Sequence, residues 1–234
     1  MKIYPSNLLK KFTNKKDGNL AFHVGDNEKD VYQNHLALAN KLRYELHSLV
    51  HMKQIHSNKL VLVNNEHNFN NPPTCDALIT NKKNIPLMVM VADCTPVLFY
   101  AASTHTIAVA HAGRSGAFSN IMQNVIYSFL NDFHTNASDI VVSIGPSISQ
   151  ESYEVGEEIY EEAKLLGLEY AIKKKEEKYY LDICTILTTQ LLSLGIKKEH
   201  IEYENICNAS NTQEYFSYRK EGQTGRFAGL MMLR

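Results

Sequence analysis

Leu87-Met-Val-Met-Val-Ala-Asp93-Cys94-Thr-Pro-Val-Leu-Phe-Tyr-Ala101, then after four residues Thr106-Ile-Ala-Val-Ala-His111-Ala-Gly113, is the stretch on which the fold turns. It holds three apolar runs, Leu87 to Ala92, Pro96 to Ala101 and Thr106 to Ala110. Each is short, rich in β-formers and has no polar alternation, the pattern of strands buried on both faces. A buried helix is the weaker reading, because Pro96 would break it. The runs therefore predict three adjacent strands, with Asp93-Cys94-Thr95 and His111-Ala-Gly113 at their ends.

Working outward, Lys59 to Val63 and Asp76 to Thr80 read as further short strands. Asp30 to Leu46 carries apolar residues at helical spacing. Downstream, Ala117, Ile121, Val125 and Phe129 repeat every four residues, predicting a helix that starts near Ser115 or Gly116. Asp139 to Ile144 is another strand, ended by Gly145-Pro146. Val155, Ile159, Ala163 and Leu166 line one face of a second helix, with glutamates 157, 158, 161 and 162 on its wet side. Cys184 to Leu194 predicts a third helix and Phe227 to Leu233 a closing strand. No repeat or low-complexity linker divides the chain. The expectation is one domain over residues 1–234, α/β or α+β in class, with a mixed β-sheet core of buried strands flanked by helices.

Composition narrows the function. At 234 residues the chain is long enough for a large core, and 44% hydrophobic with 21% charged residues excludes wholesale disorder. A formal net charge of -1 gives no global field to attract nucleic acid or acidic lipid. The longest basic run, Lys173 to Lys175, is followed by Glu176 and Glu177 and reads as a solvated loop. Met1 to Phe12 has no signal-peptide core, and Pro86, Asp93 and Pro96 interrupt the most apolar stretch. Four unpaired-looking cysteines suit a reducing compartment. The expectation is a cytoplasmic protein with small-molecule partners, neither nucleic-acid-binding nor membrane-bound.

Reactive residues fall where periodic structure stops. They are His51-Met-Lys-Gln54-Ile-His56-Ser57, then Asp93-Cys94-Thr95, then His111-Ala-Gly113-Arg114-Ser115-Gly116. A carboxylate at Asp93, between apolar runs, is costly unless paired or hydrogen-bonded. Taken singly, Cys94 reads as a small core residue, Gly113 as a turn and Arg114 as a solvated cation. Their coincidence at the ends of neighbouring strands makes a site of them.

Several segments together resemble one known family. They are Gln54-Ile-His56-Ser57, Asp76-Ala-Leu-Ile-Thr80, Ala92-Asp93-Cys94-Thr-Pro96-Val, His111-Ala-Gly113 and Ile144-Gly145-Pro146. Phe216-Ser-Tyr-Arg219 and Thr224-Gly225-Arg226 complete the series. In this order they resemble the laccase-domain or polyphenol oxidase family, whose members are described as purine nucleoside phosphorylases. The likeness runs from about Asn19 to the C-terminus. It implies zinc bound by His56, Cys94 and His111. It also implies phosphorolysis of adenosine, inosine, guanosine and methylthioadenosine, with deamination of adenosine, so that nucleoside and phosphate are the partners. The chain departs from the family at two places. His111-Ala-Gly is followed by Arg114-Ser115 instead of Trp-Arg, and Phe12-Thr13-Asn14 replaces an Arg and Gly-Gly signature.

An N, S, N ligand set suits zinc and leaves a fourth position for water or substrate, unless Cys75, Cys184 or Cys207 closes it. Copper is a possible occupant, since it outranks zinc in intrinsic affinity. A multicopper oxidase is disfavoured, because the chain has no His-x-His pair. Phosphorolysis also needs an anion site. The turn Gly113 to Gly116 opening a helix, with Arg114, Ser115, Arg219, Arg226 and Gln54, supplies candidates for substrate binding. Asp93 is the candidate to protonate a leaving nitrogen or to orient a ligating histidine. The competing readings are a metal-free cysteine hydrolase using Cys94 and His111 on an amide or ester of a cell-wall precursor, a copper-dependent polyphenol oxidase, and a non-enzymatic zinc-stabilised binding module.

Overall fold

Side-chain alternation along the strands sets up four layers in the computed structural model, which describes residues 4–234. The first three positions of the N-terminal segment lie outside the described residues. The larger sheet has the order β11 (Ile201–Tyr203), β7 (Ile140–Ile144), β5 (Thr95–Ala101), β6 (Thr106–Ala112), β3 (Ala77–Thr80), β2 (Leu60–Leu62). Its β5–β6, β5–β7 and β3–β6 pairs are antiparallel, while β2–β3 and β7–β11 are parallel. A three-stranded antiparallel sheet has the order β1 (Leu8–Phe12), β12 (Phe227–Leu233), β4 (Leu87–Val91).

Odd positions of β5 (Val97, Phe99, Ala101) pack on helices α3 (Ile121–Asn131) and α5 (Ile183–Ser193), through Val125, Phe129, Leu187 and Leu191. Even positions (Leu98, Tyr100) face Val89, Val91, Phe227 and Met231 of the smaller sheet. That sheet turns Met88, Met90, Ala228 and Leu230 toward Leu20, Leu49 and Leu38 of helix α1 (Glu28–Leu42). Both sheets are thus covered on both faces, which is why β4, β5, β6, β7 and β12 read as largely apolar runs. Each large side chain so buried contributes about 1.5–3 kcal/mol.

Several expectations change. The run at 87–92 is a strand but not a neighbour of the other two: β4 joins the smaller sheet, and only β5 and β6 pair. The helix expected from Ser115 is two pieces, α2 (Arg114–Phe118) and α3, broken at Asn120, which has a left-handed φ of 56°. Helix α1 stops at Leu42 because Arg43 turns left-handed (φ 58°) and its N–H closes onto the Ala39 and Asn40 carbonyls. Lys173 to Lys175 lie in a strand, not a loop. β9 (Ile172–Lys175) pairs with β10 (Lys178–Leu181), which also pairs with β8 (Glu154–Val155), and the three lysines remain exposed. Helix α4 (Glu157–Leu165) carries the glutamates, and α6 (Tyr218–Glu221) precedes the final strand.

Candidate metal centre

Between β4 and β5 the chain crosses from one sheet to the other within Ala92 to Cys94, and this corner builds the site. Asp93 takes the bend with a left-handed φ of 91°, a conformation a non-glycine residue holds only when its surroundings fix it. Three donors do so. Asn208 Nδ2 and Ser217 Oγ donate to Oδ1 at 2.9 and 2.6 Å, and the Arg219 N–H donates to Oδ2 at 2.6 Å. The corner presents Cys94. His111 comes from β6, at the position paired with Pro96, and is 3% exposed. His56 comes from the loop before β2, is exposed and is left-handed too, with φ 57°. One donor atom from each of the three lies within 4.8 Å of the others, and the two imidazole rings are 4.8 Å apart at 76°. Gly113 makes the approach possible, since a Cβ there would sit 2.7 Å from Cys94 Sγ.

Asp76, 0% exposed, ties two of the three segments together. Its Oδ1 accepts from His56 N–H (3.0 Å) and His111 Nδ1 (2.8 Å). Its Oδ2 accepts from Ile55 N–H (3.3 Å), Ser57 N–H (2.7 Å) and Ser57 Oγ (2.8 Å). Burial raises the Asp76 carboxyl, but the bonds from His111 and Ser57 outweigh it and bring it to about 2. A carboxylate only accepts, so His111 Nδ1 carries the proton and Nε2 is left as the donor atom for the shared point. The histidine-orienting role considered for Asp93 belongs to Asp76; Asp93 instead clamps the backbone of Arg219. The sequence signal was there, an acid opening an apolar strand, but it matched the one that drew attention to Asp93.

Electrostatics at the centre favour a deprotonated sulfur. Burial raises the Cys94 thiol, and the charge and hydrogen bonds of His111 and His56 more than offset it, so the thiol is lowered. Burial lowers His111, and Cys94 and Asp76 reverse that, so the imidazole is raised. A cation replacing that proton meets a thiolate and two ring nitrogens. Tetrahedral zinc with N and S ligands needs donor pairs roughly 3.4–3.6 Å apart, so the trio closes on an ion with a shift on the order of 1 Å. Among the described residues no fourth His, Cys, Asp or Glu joins the group. Cys184 and Cys207 face a separate cavity and Cys75 is buried, so none of them completes the set. The donor set fits a metal with one open position.

A cavity of about 400 Å³ opens over the trio. Gln54, Asp93, Gly113, Arg114, Arg219 and Arg226, all expected at the site, line it. Gln54 is fixed at both ends by the backbone of Met90, at 2.8 and 3.0 Å. Ser115 is exposed on α2 and is not part of the lining. Helix α2, which opens at the Gly113–Gly116 turn, has five residues, too few to lend an anion there a substantial dipole. His23, Tyr153 and Tyr218 line the cavity as well. No local sequence pattern marks them.

The sequence model of the family described as multi-copper polyphenol oxidoreductase laccase matches residues 12–234. The chain belongs to that family. Despite the family's name, the described residues hold one three-ligand group rather than several. A purine nucleoside phosphorylase of Bacteroides thetaiotaomicron is 36% identical over 163 residues, 68% of this chain and 60% of that relative. A purine nucleoside phosphorylase of Corynebacterium glutamicum is 35% identical over 218 residues, covering 92% of this chain and 86% of its own length. Among solved structures, YlmD from Geobacillus stearothermophilus superposes with a TM-score of 0.93 at 26% identity, over 100% of this chain and 94% of that one.

Proposed function

We propose that this chain is a purine nucleoside phosphorylase with an accompanying adenosine deaminase activity. It takes adenosine, inosine, guanosine and methylthioadenosine at a single zinc ion held by His56, Cys94 and His111. One observation carries the reading: three ligands far apart in sequence converge beneath an open cavity whose walls carry three guanidinium groups. Relatives of similar sequence bear the phosphorylase name. When bound, zinc supplies a Lewis acid with one position free for a substrate oxygen or nitrogen.

In phosphorolysis a phosphate oxygen forms a bond to C1′ of the ribose while the bond from C1′ to the base breaks, its electron pair leaving with the base. In deamination a water oxygen replaces the amino group of adenine and ammonia departs. The chain contributes position and environment. Met90, Val91, Ile148 and Ile183 give the cavity apolar walls, suited to a purine and to the exclusion of bulk water. Asp76 fixes the His111 tautomer, and Gly113 lets the thiolate approach. The protein works in the cytoplasm, where Cys94 stays reduced. Among the described residues, no helix is long and apolar enough to cross a membrane.

The geometry also favours a second reading. Cys94, His111 and Asp76 stand as nucleophile, base and orienting carboxylate, the order of a cysteine hydrolase. It leaves His56 without a task. Metal-analysed protein incubated with adenosine and with inosine, with and without phosphate, tests both. Free base released only with phosphate, inosine formed from adenosine without it, and loss of both on chelation support the proposal. Nucleoside turnover that survives complete metal removal ends the zinc mechanism, and amide or ester cleavage by metal-free protein that turns over no nucleoside supports the hydrolase.

A further inference from the structure

The cavity's three arginines are not equivalent. Arg114 Nη1 lies 2.6 Å from a carboxylate oxygen of Glu162 on α4, and the guanidinium also rests on the Phe118 ring. Its charge is matched within the protein. Arg219 bonds the Glu154 carbonyl at 2.8 Å through Nη1, and its guanidinium lies over the Tyr153 ring, 5.0 Å from the centroid. Arg226 spends Nη1 on the carbonyls of Thr224 and Gly225, at 2.8 and 3.0 Å. Neither Arg219 nor Arg226 has a carboxylate within ion-pair distance among the described residues. Carbonyl bonds orient a guanidinium without neutralising it. Each keeps Nε–H and the Nη2 pair, the two-pronged edge that matches an oxyanion.

Both are anchored by backbone as well as side chain. Arg219 N–H is held by Asp93, the strained corner residue, and Arg226 N–H by Asn19 Oδ1 at 2.8 Å. The turn bearing Arg226 packs so closely that a Cβ on Gly225 would meet the Phe216 ring at 2.8 Å. Arg226 is half-buried, and burial, the largest influence, lowers its pKa. Arg219 is exposed, but both line the same cavity with a free guanidinium edge and, among the described residues, no carboxylate partner. An anion entering it meets two unmatched charges.

We propose that Arg219 and Arg226 form the oxyanion subsite of this cavity, seating inorganic phosphate, and that Arg114 is a structural ion pair outside it. The assignment rests on the phosphorylase reading for the identity of the anion. It gives Asp93 a positioning role, through Arg219. Ser115, at the family's arginine position, does not reach the cavity, so any anion there is met by the other arginines.

The test is calorimetric titration of the purified protein with inorganic phosphate at constant ionic strength, with adenosine 5′-monophosphate as a second ligand. Wild type, Arg114→Gln, Arg219→Gln, Arg226→Gln and Arg226→Lys are compared, each first checked for a native melting profile. Saturable phosphate binding is expected in wild type and Arg114→Gln. A loss of at least tenfold is expected in Arg219→Gln and Arg226→Gln, and Arg226→Lys should recover part of it through charge alone. Binding that falls in Arg114→Gln and persists in the other two overturns the assignment. So does saturable binding of the monophosphate where inorganic phosphate has none. If phosphate binds as described but no nucleoside is cleaved in its presence, the subsite stands and the phosphorylase reading falls.

Discussion

Asp76→Asn exchanges one carboxylate oxygen for an NH₂ group inside a cage of five donors, and counting those donors decides how the amide must sit. With its nitrogen in place of Oδ2, it faces the N–H groups of Ile55 and Ser57, while the Ser57 hydroxyl turns to accept. Two part-buried backbone donors are then orphaned, at up to about 1–3 kcal/mol each. With its nitrogen in place of Oδ1, only the His56 N–H is orphaned, but His111 Nδ1 must accept instead of donate. The second arrangement wins by about one orphaned donor, on the order of 1–3 kcal/mol. It moves the His111 proton to Nε2, the atom needed for the metal. We therefore expect zinc affinity, measured by competition with a chromophoric chelator, to fall about 10–100-fold. Urea unfolding of the metal-free variant should show a loss of about 1–3 kcal/mol. A folded Asp76→Asn protein that holds zinc as tightly as wild type would refute the tautomer argument.

Gly113→Ala places a Cβ 2.7 Å from Cys94 Sγ, about 1 Å inside normal contact, at a φ of -83° that alanine adopts freely. The expected cost is about 1–3 kcal/mol in thermal unfolding, together with weakened metal binding; an unchanged metal affinity would show that the thiol does not need this gap. Cys94→Ala should abolish phosphorolysis and deamination in the assay of metal-loaded protein, and full activity would remove the central ligand. His35 is fully buried, and burial, the largest influence, lowers it to about 4 despite its bond to the Leu20 carbonyl at 2.8 Å. The unfolded chain, with an ordinary histidine near 6.5, takes up this proton first as pH falls, so the contribution is complete above about 6.5 and is lost toward 4. Between pH 7 and 5 wild type should lose about 2 kcal/mol that a His35→Gln variant does not lose. Matching acid slopes in chemical denaturation would contradict it.

Much of the architecture is legible because both sheets are covered twice, so β4, β5, β6 and β12 show as apolar runs wherever they pair. Which sheet a run joins is not legible. The decision is made at Asp93, where a left-handed backbone held by Asn208, Ser217 and Arg219 redirects the chain, and those partners lie more than a hundred residues away. Strand β1 stays hidden behind Lys10 and Lys11, and β9 behind its lysines, because edge strands carry charge as readily as loops do. Of the three candidate ligands, Cys94 and His111 stand out as polar residues at strand ends. Arg114 and Asp76 do not declare their roles, which depend on Glu162 and on His111, at separations of 48 and 35 residues. Only tertiary contact separates a neutralised arginine from a free one.

X-ray absorption at the zinc edge of the purified protein probes the centre most directly. One ion per chain should appear, with two imidazole nitrogens, a single sulfur near 2.3 Å and a lighter exchangeable ligand, the sulfur vanishing in Cys94→Ser. A chain isolated without stoichiometric metal, or an ion whose coordination shell has no sulfur and ignores that substitution, would contradict the account.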